Sequence, residues 1–276
     1  MASTIELLFN EASRHILNSQ NICIASHVQP DGDNIGSMLS LGLALRKLNK
    51  NVFLLKSDDI PLDFKFLPNI DLIKDYEDIG EIDIFIALDS SDEARLGKNK
   101  NLLRKAKLIL NIDHHISNTN FGHINIVDKD ASSTGEMVFD FIKSMNIDIE
   151  KDIATCIYTA ISSDTGSFMY DNTSAKTHEI AAELIRIGIA KEDINIHLYQ
   201  SKSLERTKLF IKAMSNLEFY FENKVAITMV TQEMLKAAQD LEFEKAAILR
   251  DEILKIKSGN RVIKETMKKL KAGNRV

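Results

Sequence analysis

His27, Asp31 and Asp33 fall close together in Ser26-His27-Val28-Gln29-Pro30-Asp31-Gly32-Asp33. A short apolar run ends at the histidine, a Pro/Gly turn follows, and two carboxylates spaced i, i+2 stand at the mouth of an amphipathic helix. One imidazole and two carboxylates this near each other suit a metal ion. Pro-Asp-Gly-Asp is also an ordinary surface turn, since all four residue types favour turns; alone, the stretch fits both readings equally. The same chemistry recurs at Asp89, at Asp113-His114-His115, and at Asp164 in Ser162-Ser163-Asp164-Thr165-Gly166. The combined set exceeds what one divalent ion needs, so the economical reading is a two-metal centre with ions about 3.5–4 Å apart. Oxygen-rich ligands with some imidazole favour Mn²⁺, or Mg²⁺, over a thiolate-type zinc site.

Apolar, strand-like runs must position these groups: residues 22–25 before His27, 82–88 before Asp89, and 107–112 before Asp113. In an open parallel sheet the ligand crevice lies outside the carboxyl ends of the strands, so three strands deliver Asp or His to one edge. Asp164 closes a helical run over 153–161 that can reach the same crevice. The pattern is α/β, a parallel-type sheet flanked by helices. A Ser3-Thr4-Ile5-Glu6 capping box and helical apolar spacing predict a first helix over 5–18. Further helices are expected over 34–48, 134–145, 153–162, 175–187, 192–199 and 204–220, and strands over 52–55, 124–127 and 224–229.

His27-x3-Asp31-x-Asp33, Asp89 after a strand, Asp113-His114-His115 and Asp164-Thr165-Gly166, in this order, resemble the four motifs of the DHH phosphoesterase superfamily. Ser132-Ser133-Thr134-Gly135-Glu136 and the stretch 118–122 resemble its nanoRNase branch, the oligoribonucleases and 3'-phosphoadenosine 5'-phosphate (pAp) phosphatases. The likeness runs from Ile5 to about Val230. It implies a Mn²⁺-dependent phosphohydrolase acting on short RNA or small nucleotides such as pAp. It further implies that His27 and Asp31 hold one ion, that Asp33, His114 and Asp164 hold the other, and that Asp89 bridges them. His115 resembles the family histidine that contacts the scissile phosphate, and Asp113 is expected to orient His114 from behind. Inorganic pyrophosphatase and cyclic-dinucleotide phosphodiesterase are neighbouring enzyme readings.

Residues 1–188 form the expected DHH domain, followed by a helical linker over 189–231 that ends in the first strand of the family's second domain. That domain (DHHA1) carries a glycine-rich motif, but after Gly188 only Gly259 and Gly273 occur, so it is expected to be absent. In its place stand residues 232–276, a hairpin and a basic tail, of which about 232–257 resemble the UVR motif of UvrB and UvrC, a small helical hairpin that pairs with a partner hairpin. Leu241, Phe243, Ala246 and Leu249 lie on its apolar stripes, and with Arg250 they are the expected partner contacts. A hairpin this small cannot bury its stripes alone, so it docks on a partner protein or on its own enzyme body. This supports a rival reading, an adaptor whose phosphoesterase body turns over poorly.

A chain 44% hydrophobic and 27% charged, with a net charge of −5, is no generic nucleic-acid coat. The charge is uneven: residues 232–276 hold 11 Lys and Arg against 7 Asp and Glu. Cys23 and Cys156 read as buried small hydrophobes, no apolar stretch approaches the ~18 residues of a membrane span, and Glu6 and Glu11 argue against a signal peptide. A cytoplasmic enzyme is expected, and a homodimer is compatible with it. Arg95 and Lys98, one turn or more past the Asp89 strand, are candidates for substrate phosphates, as is Arg206; a solvated face explains them equally well. Ser132, Ser133 and Thr134 precede a helix amino terminus, which is an anion site or simply a helix cap. His15, His123, His178 and His197 lie outside the motifs and read as structural or exposed.

Overall fold

The structure, a computed structural model, describes residues 4–201, 204–220 and 225–228. The chain divides into two compact units, Met1–Ser201 and Lys202–Val276.

In the first unit, α1 (Thr4–Leu17), β1 (Asn21–Ala25), α2 (Gly32–Lys47) and β2 (Asn51–Leu55) lead into two short 3-10 turns and β3 (Ile73–Lys74). Next come β4 (Ile82–Leu88), a 3-10 run over Glu93–Lys105, β5 (Ala106–Asp113) and β6 (Ile124–Val127). α3 (Thr134–Ser144), α4 (Lys151–Asp164), α5 (Ala175–Ile187), α6 (Lys191–Asn195) and a π turn over Ile196–Gln200 complete it. The six strands are all parallel, in the order β3-β2-β1-β4-β5-β6. The order reverses between β1 and β4, and in such sheets ligands bind at that switch point. Register pairs Ala25 with Ala87 and Leu88 with Ile112. The residues just past β1, β4 and β5 therefore emerge side by side.

Both faces of the sheet are covered, as parallel sheets require. Alternate residues serve opposite layers: Ile22, Ile24, Ile84, Ile86 and Leu88 pack into the large core under the α-helices. Cys23, Ala25, Phe85 and Ala87 pack on the other side with Leu96 and Leu103 of the 3-10 run. Under the larger layer, α2, α3 and α4 meet almost backbone to backbone. A Cβ on Gly36 would lie 2.4 Å from the Cys156 carbonyl oxygen, and one on Gly135 would lie 2.4 Å from the Ala160 Cβ. This close approach sets Asp33, Thr134 and Asp164 around one point.

Several boundaries differ from the sequence expectation. α2 begins at Gly32 rather than at 34, because Asp31 caps it by accepting the Asn34 N–H at 3.0 Å. Asp33 thus sits inside the first helical turn. α4 runs through Asp164, and the helix expected over 192–199 becomes α6 followed by the π turn. Ile194 of α6 is buried in the main core.

In the second unit the helix expected over 204–220 stops as α7 at Ser215. Glu218–Tyr220 forms β7, antiparallel to β8 (Val225–Ile227), the strand expected over 224–229. Phe219 and Tyr220 favour the strand, a tendency that a helix-period reading passes over. The hairpin expected over 232–276 lies outside the described residues.

Candidate metal centre

At the switch point the Ser26 hydroxyl donates to the Leu88 carbonyl at 2.7 Å, tying the ends of β1 and β4. His27 follows, 3% exposed. Its Nδ1 lies 2.7 Å from the Val28 carbonyl oxygen, which places the ring proton there and leaves Nε2 as the ligand atom. Nε2 is 3.1 Å from Asp89 Oδ2 and 3.6 Å from Asp31 Oδ2.

Asp89 directly follows β4 with φ of +52°, a left-handed conformation uncommon outside glycine and one that clusters at functional sites. Its N–H still continues the ladder to the Ile112 carbonyl at 3.0 Å. Its Oδ1 accepts the Thr134 hydroxyl at 3.1 Å and lies 3.7 Å from His114 Nε2 and 3.6 Å from His115 Nδ1. The buried Asp33 carboxylate accepts the backbone N–H groups of Thr134 at 2.7 Å and Gly135 at 2.8 Å, and the Ser37 hydroxyl at 3.0 Å. The α3 amino terminus, read from sequence as an anion site or a simple helix cap, receives a carboxylate of the protein itself. Ser133 caps α3 by accepting the Glu136 N–H.

His114 Nε2 lies 3.2 Å from Asp164 Oδ2 and 3.8 Å from Asp33 Oδ2, while its Nδ1 faces the Ala131 carbonyl at 3.4 Å. The expectation that Asp113 orients His114 is corrected: Asp113 Oδ1 is 2.7 Å from His115 Nδ1. In an extended chain residues i and i+2 share a side, whereas neighbours in sequence point apart. Asn118 anchors Asp113 from below, donating to its Oδ2 at 2.5 Å and to Asn111 Oδ1 at 2.8 Å.

Three ligand groups result, each with ligand atoms within 4.8 Å of one another: His27, Asp31 and Asp89; Asp33, His114 and Asp164; Asp89, His114 and His115. Among the described residues, every ion-pair partner of Asp31, Asp33, Asp89 and Asp164 is an imidazole. Burial and then the charges of Asp89 and Asp164 push the Asp33 carboxyl well up. Burial pushes Asp164 up to about 6. Asp31, whose side chain is 52% exposed, is raised by its desolvated inner side and then by Asp89. Burial acts upward on Asp89 too, but the hydrogen bond and charge of His27 outweigh it and hold Asp89 low. For His27 burial acts downward, but the bond to Asp89 and its charge, the Val28 carbonyl and Asp31 together raise the imidazole; for His115 the bond to Asp113 raises it against burial. Four carboxylates crowded onto imidazoles alone are short of positive charge. Divalent cations supply it, and the oxygen-rich donor set fits hard divalent ions.

All six expected metal ligands meet here, with His115 and Asp113 beside them. Thr134 joins them through Asp89 rather than through an open amide. Arg95 lies on the 3-10 run, where its carbonyl accepts the Val28 N–H at 2.8 Å. The Arg206 side chain and Leu241, Phe243, Ala246, Leu249 and Arg250 fall outside the described residues. Sequence reasoning missed Ser37, Asn111 and Asn172, whose amide donates to the Asp164 carbonyl at 3.2 Å. Ser37, four residues past Asp33 on the same helix face, was findable; the two asparagines carry no local signal.

Fold and site together define a class: an open parallel α/β domain with a carboxylate–imidazole pocket for divalent cations at its switch point. The N-terminal domain of the DHH family matches residues 21–161, and the chain belongs to that family. A second match, to the UvrB/uvrC motif, covers residues 224–259. The bifunctional oligoribonuclease and PAP phosphatase NrnA of Thermus thermophilus is 34% identical over 201 residues, 72% of this chain and 60% of that protein. NrnA of Bacillus subtilis is 30% identical over 198 residues, 70% of this chain and 61% of that protein. This chain therefore spans about three fifths of the length of these relatives. The crystal structure of an exopolyphosphatase-related protein from Bacteroides fragilis superposes with a TM-score of 0.79 at 30% identity, covering 84% of this chain and 72% of that one. Among the described residues no helix is long and apolar enough to cross a membrane.

Proposed function

We propose that this chain hydrolyses phosphoester bonds in short oligoribonucleotides and in small nucleotides such as pAp, using two divalent cations, Mn²⁺ in preference to Mg²⁺. The observation that carries this reading is the placement of Asp89, with Oδ2 toward His27 and Oδ1 toward His114. That placement suits a carboxylate shared between two sites. His27 and Asp31 are assigned to one cation and Asp33, His114 and Asp164 to the other. Two such cations supply Lewis-acid polarisation of a phosphoryl oxygen and an acidified water. Asp113 and Asn118 hold the His115 ring through Nδ1, leaving Nε2 to meet the scissile phosphate. Thr134 positions Asp89, and Ser133 keeps the α3 turn in shape. The NrnA relatives support the substrate class, and the buried free thiols of Cys23 and Cys156 support a reducing cytoplasm.

The test is hydrolysis of pAp, a diribonucleotide, a cyclic dinucleotide and pyrophosphate with Mn²⁺ and with Mg²⁺. pAp and the diribonucleotide are expected to turn over fastest; pyrophosphate as the best substrate would contradict the reading. The UvrB/uvrC match favours a second role, in which residues 232–276 dock a protein partner through Leu241, Phe243, Ala246, Leu249 and Arg250. Partner retention in a pull-down should then vanish when 232–276 is deleted.

A further inference from the structure

Arg95 carries a positive charge that no described residue of the protein pairs with. Its Nε is buried without a hydrogen-bond partner. Among the described residues, none of the ion pairs involves its guanidinium. Its backbone, in contrast, is fixed from both sides. Asp92 accepts the N–H groups of Ala94 at 2.7 Å and Arg95 at 3.3 Å. The Arg95 carbonyl binds the Val28 N–H in the loop that carries His27, and the next residue, Leu96, is fully buried. Gly97, at φ of +56°, lets that loop close in, since a Cβ there would sit 2.4 Å from Val28 Cγ1. The guanidinium and the His115 ring stand near enough to interact electrostatically.

A desolvated donor with no acceptor costs stability unless a ligand completes it. Among the described residues the carboxylates of this centre are gathered around His27, His114 and His115 and none pairs with Arg95, which leaves its guanidinium open to an anionic ligand. A guanidinium fork matches two oxygens of a phosphoryl group, and its charge is fixed at any working pH.

We propose that Arg95 binds non-bridging oxygens of the phosphoryl group that His115 faces, forming an anion subsite on the β4 side of the centre. The inference rests on the hydrolase reading, and its test separates the two. The full chain, Arg95→Gln and Arg95→Lys are compared by calorimetric titration with Mn²⁺, by titration of the Mn²⁺-loaded protein with inorganic phosphate, and by pAp hydrolysis. Arg95→Gln is expected to bind Mn²⁺ like the parent and to lose about 100-fold in kcat/KM. Its phosphate affinity should fall at least about 10-fold, and Arg95→Lys should recover part of both losses. Unchanged phosphate affinity and kcat/KM in Arg95→Gln would overturn the subsite. So would equal loss of Mn²⁺ binding in both variants, which would mark Arg95 as a purely structural residue. If the parent hydrolyses nothing while phosphate binding still depends on Arg95, the hydrolase reading fails and the subsite stands.

Discussion

Thr134 holds two carboxylates of the cluster at once, its N–H bonding Asp33 and its hydroxyl bonding Asp89. Thr134→Val keeps the shape and removes only the hydroxyl donor, so it isolates the second contact. Loss of such a supporting bond lowers metal affinity about 10- to 100-fold, and calorimetric titration with Mn²⁺ should read that loss in Thr134→Val but little of it in Thr134→Ser. Equal affinities in parent and valine variant would mean that Asp89 needs no help. At this scale the residues that gather at the centre were legible, because each Asp or His follows directly on an apolar run or turn. Their supports were not. Asp113 adjoins His114 in sequence, yet strand geometry hands it to His115, and Asn118 reaches it only because the chain turns back after β5.

Two contacts among elements fix where those residues stand. At the α2–α4 crossing Gly36 lies against the Cys156 carbonyl and Ala160. Gly36→Val would force the helices apart, destabilising the fold by about 3 kcal/mol and drawing Asp33 away from Asp164; denaturant unfolding and Mn²⁺ titration read the two effects. At the opposite end of the sheet, Asp83 of β4 accepts the N–H groups of Asn21 and Gln20 and the Lys107 ammonium. These bonds, the one from Asn21 foremost, lower its carboxyl to about 2. A carboxyl depressed in the folded state stabilises it above the unfolded value near 3.9 and loses that effect as pH falls through the folded value. Asp83→Asn should therefore melt below the parent at pH 7, with the gap closing as pH falls from about 4 toward 2. A gap independent of pH would show that charge plays no part. Strands and most helices were legible from periodicity, and the misreadings fall at ends, where side chains decide. Asp31 starts α2 early by capping it, and β7 begins at Glu218 where a helical pattern was read to continue.

At the scale of the molecule, the strand order β3-β2-β1-β4-β5-β6 converts sites far apart in sequence into one cluster. Periodicity marks strands but not their neighbours, so the convergence of three strand ends rested on the general behaviour of parallel sheets. With carboxylates crowded there, a bound cation would stabilise the folded state. Mn²⁺ at 100 times its dissociation constant contributes about 2.7 kcal/mol, so adding it to chelator-treated protein should raise the melting temperature by about 5 °C or more; no rise would deny the centre its metal. The claim on which the whole account depends is that Asp89 joins two cation sites into one hydrolytic centre. The most direct measurement is release of phosphate from pAp and of mononucleotide from a diribonucleotide, with Mn²⁺ present, by the full chain and by Asp89→Ala side by side. The account predicts that the parent hydrolyses both and that Asp89→Ala loses both activities while remaining folded. Undiminished hydrolysis by Asp89→Ala would contradict it.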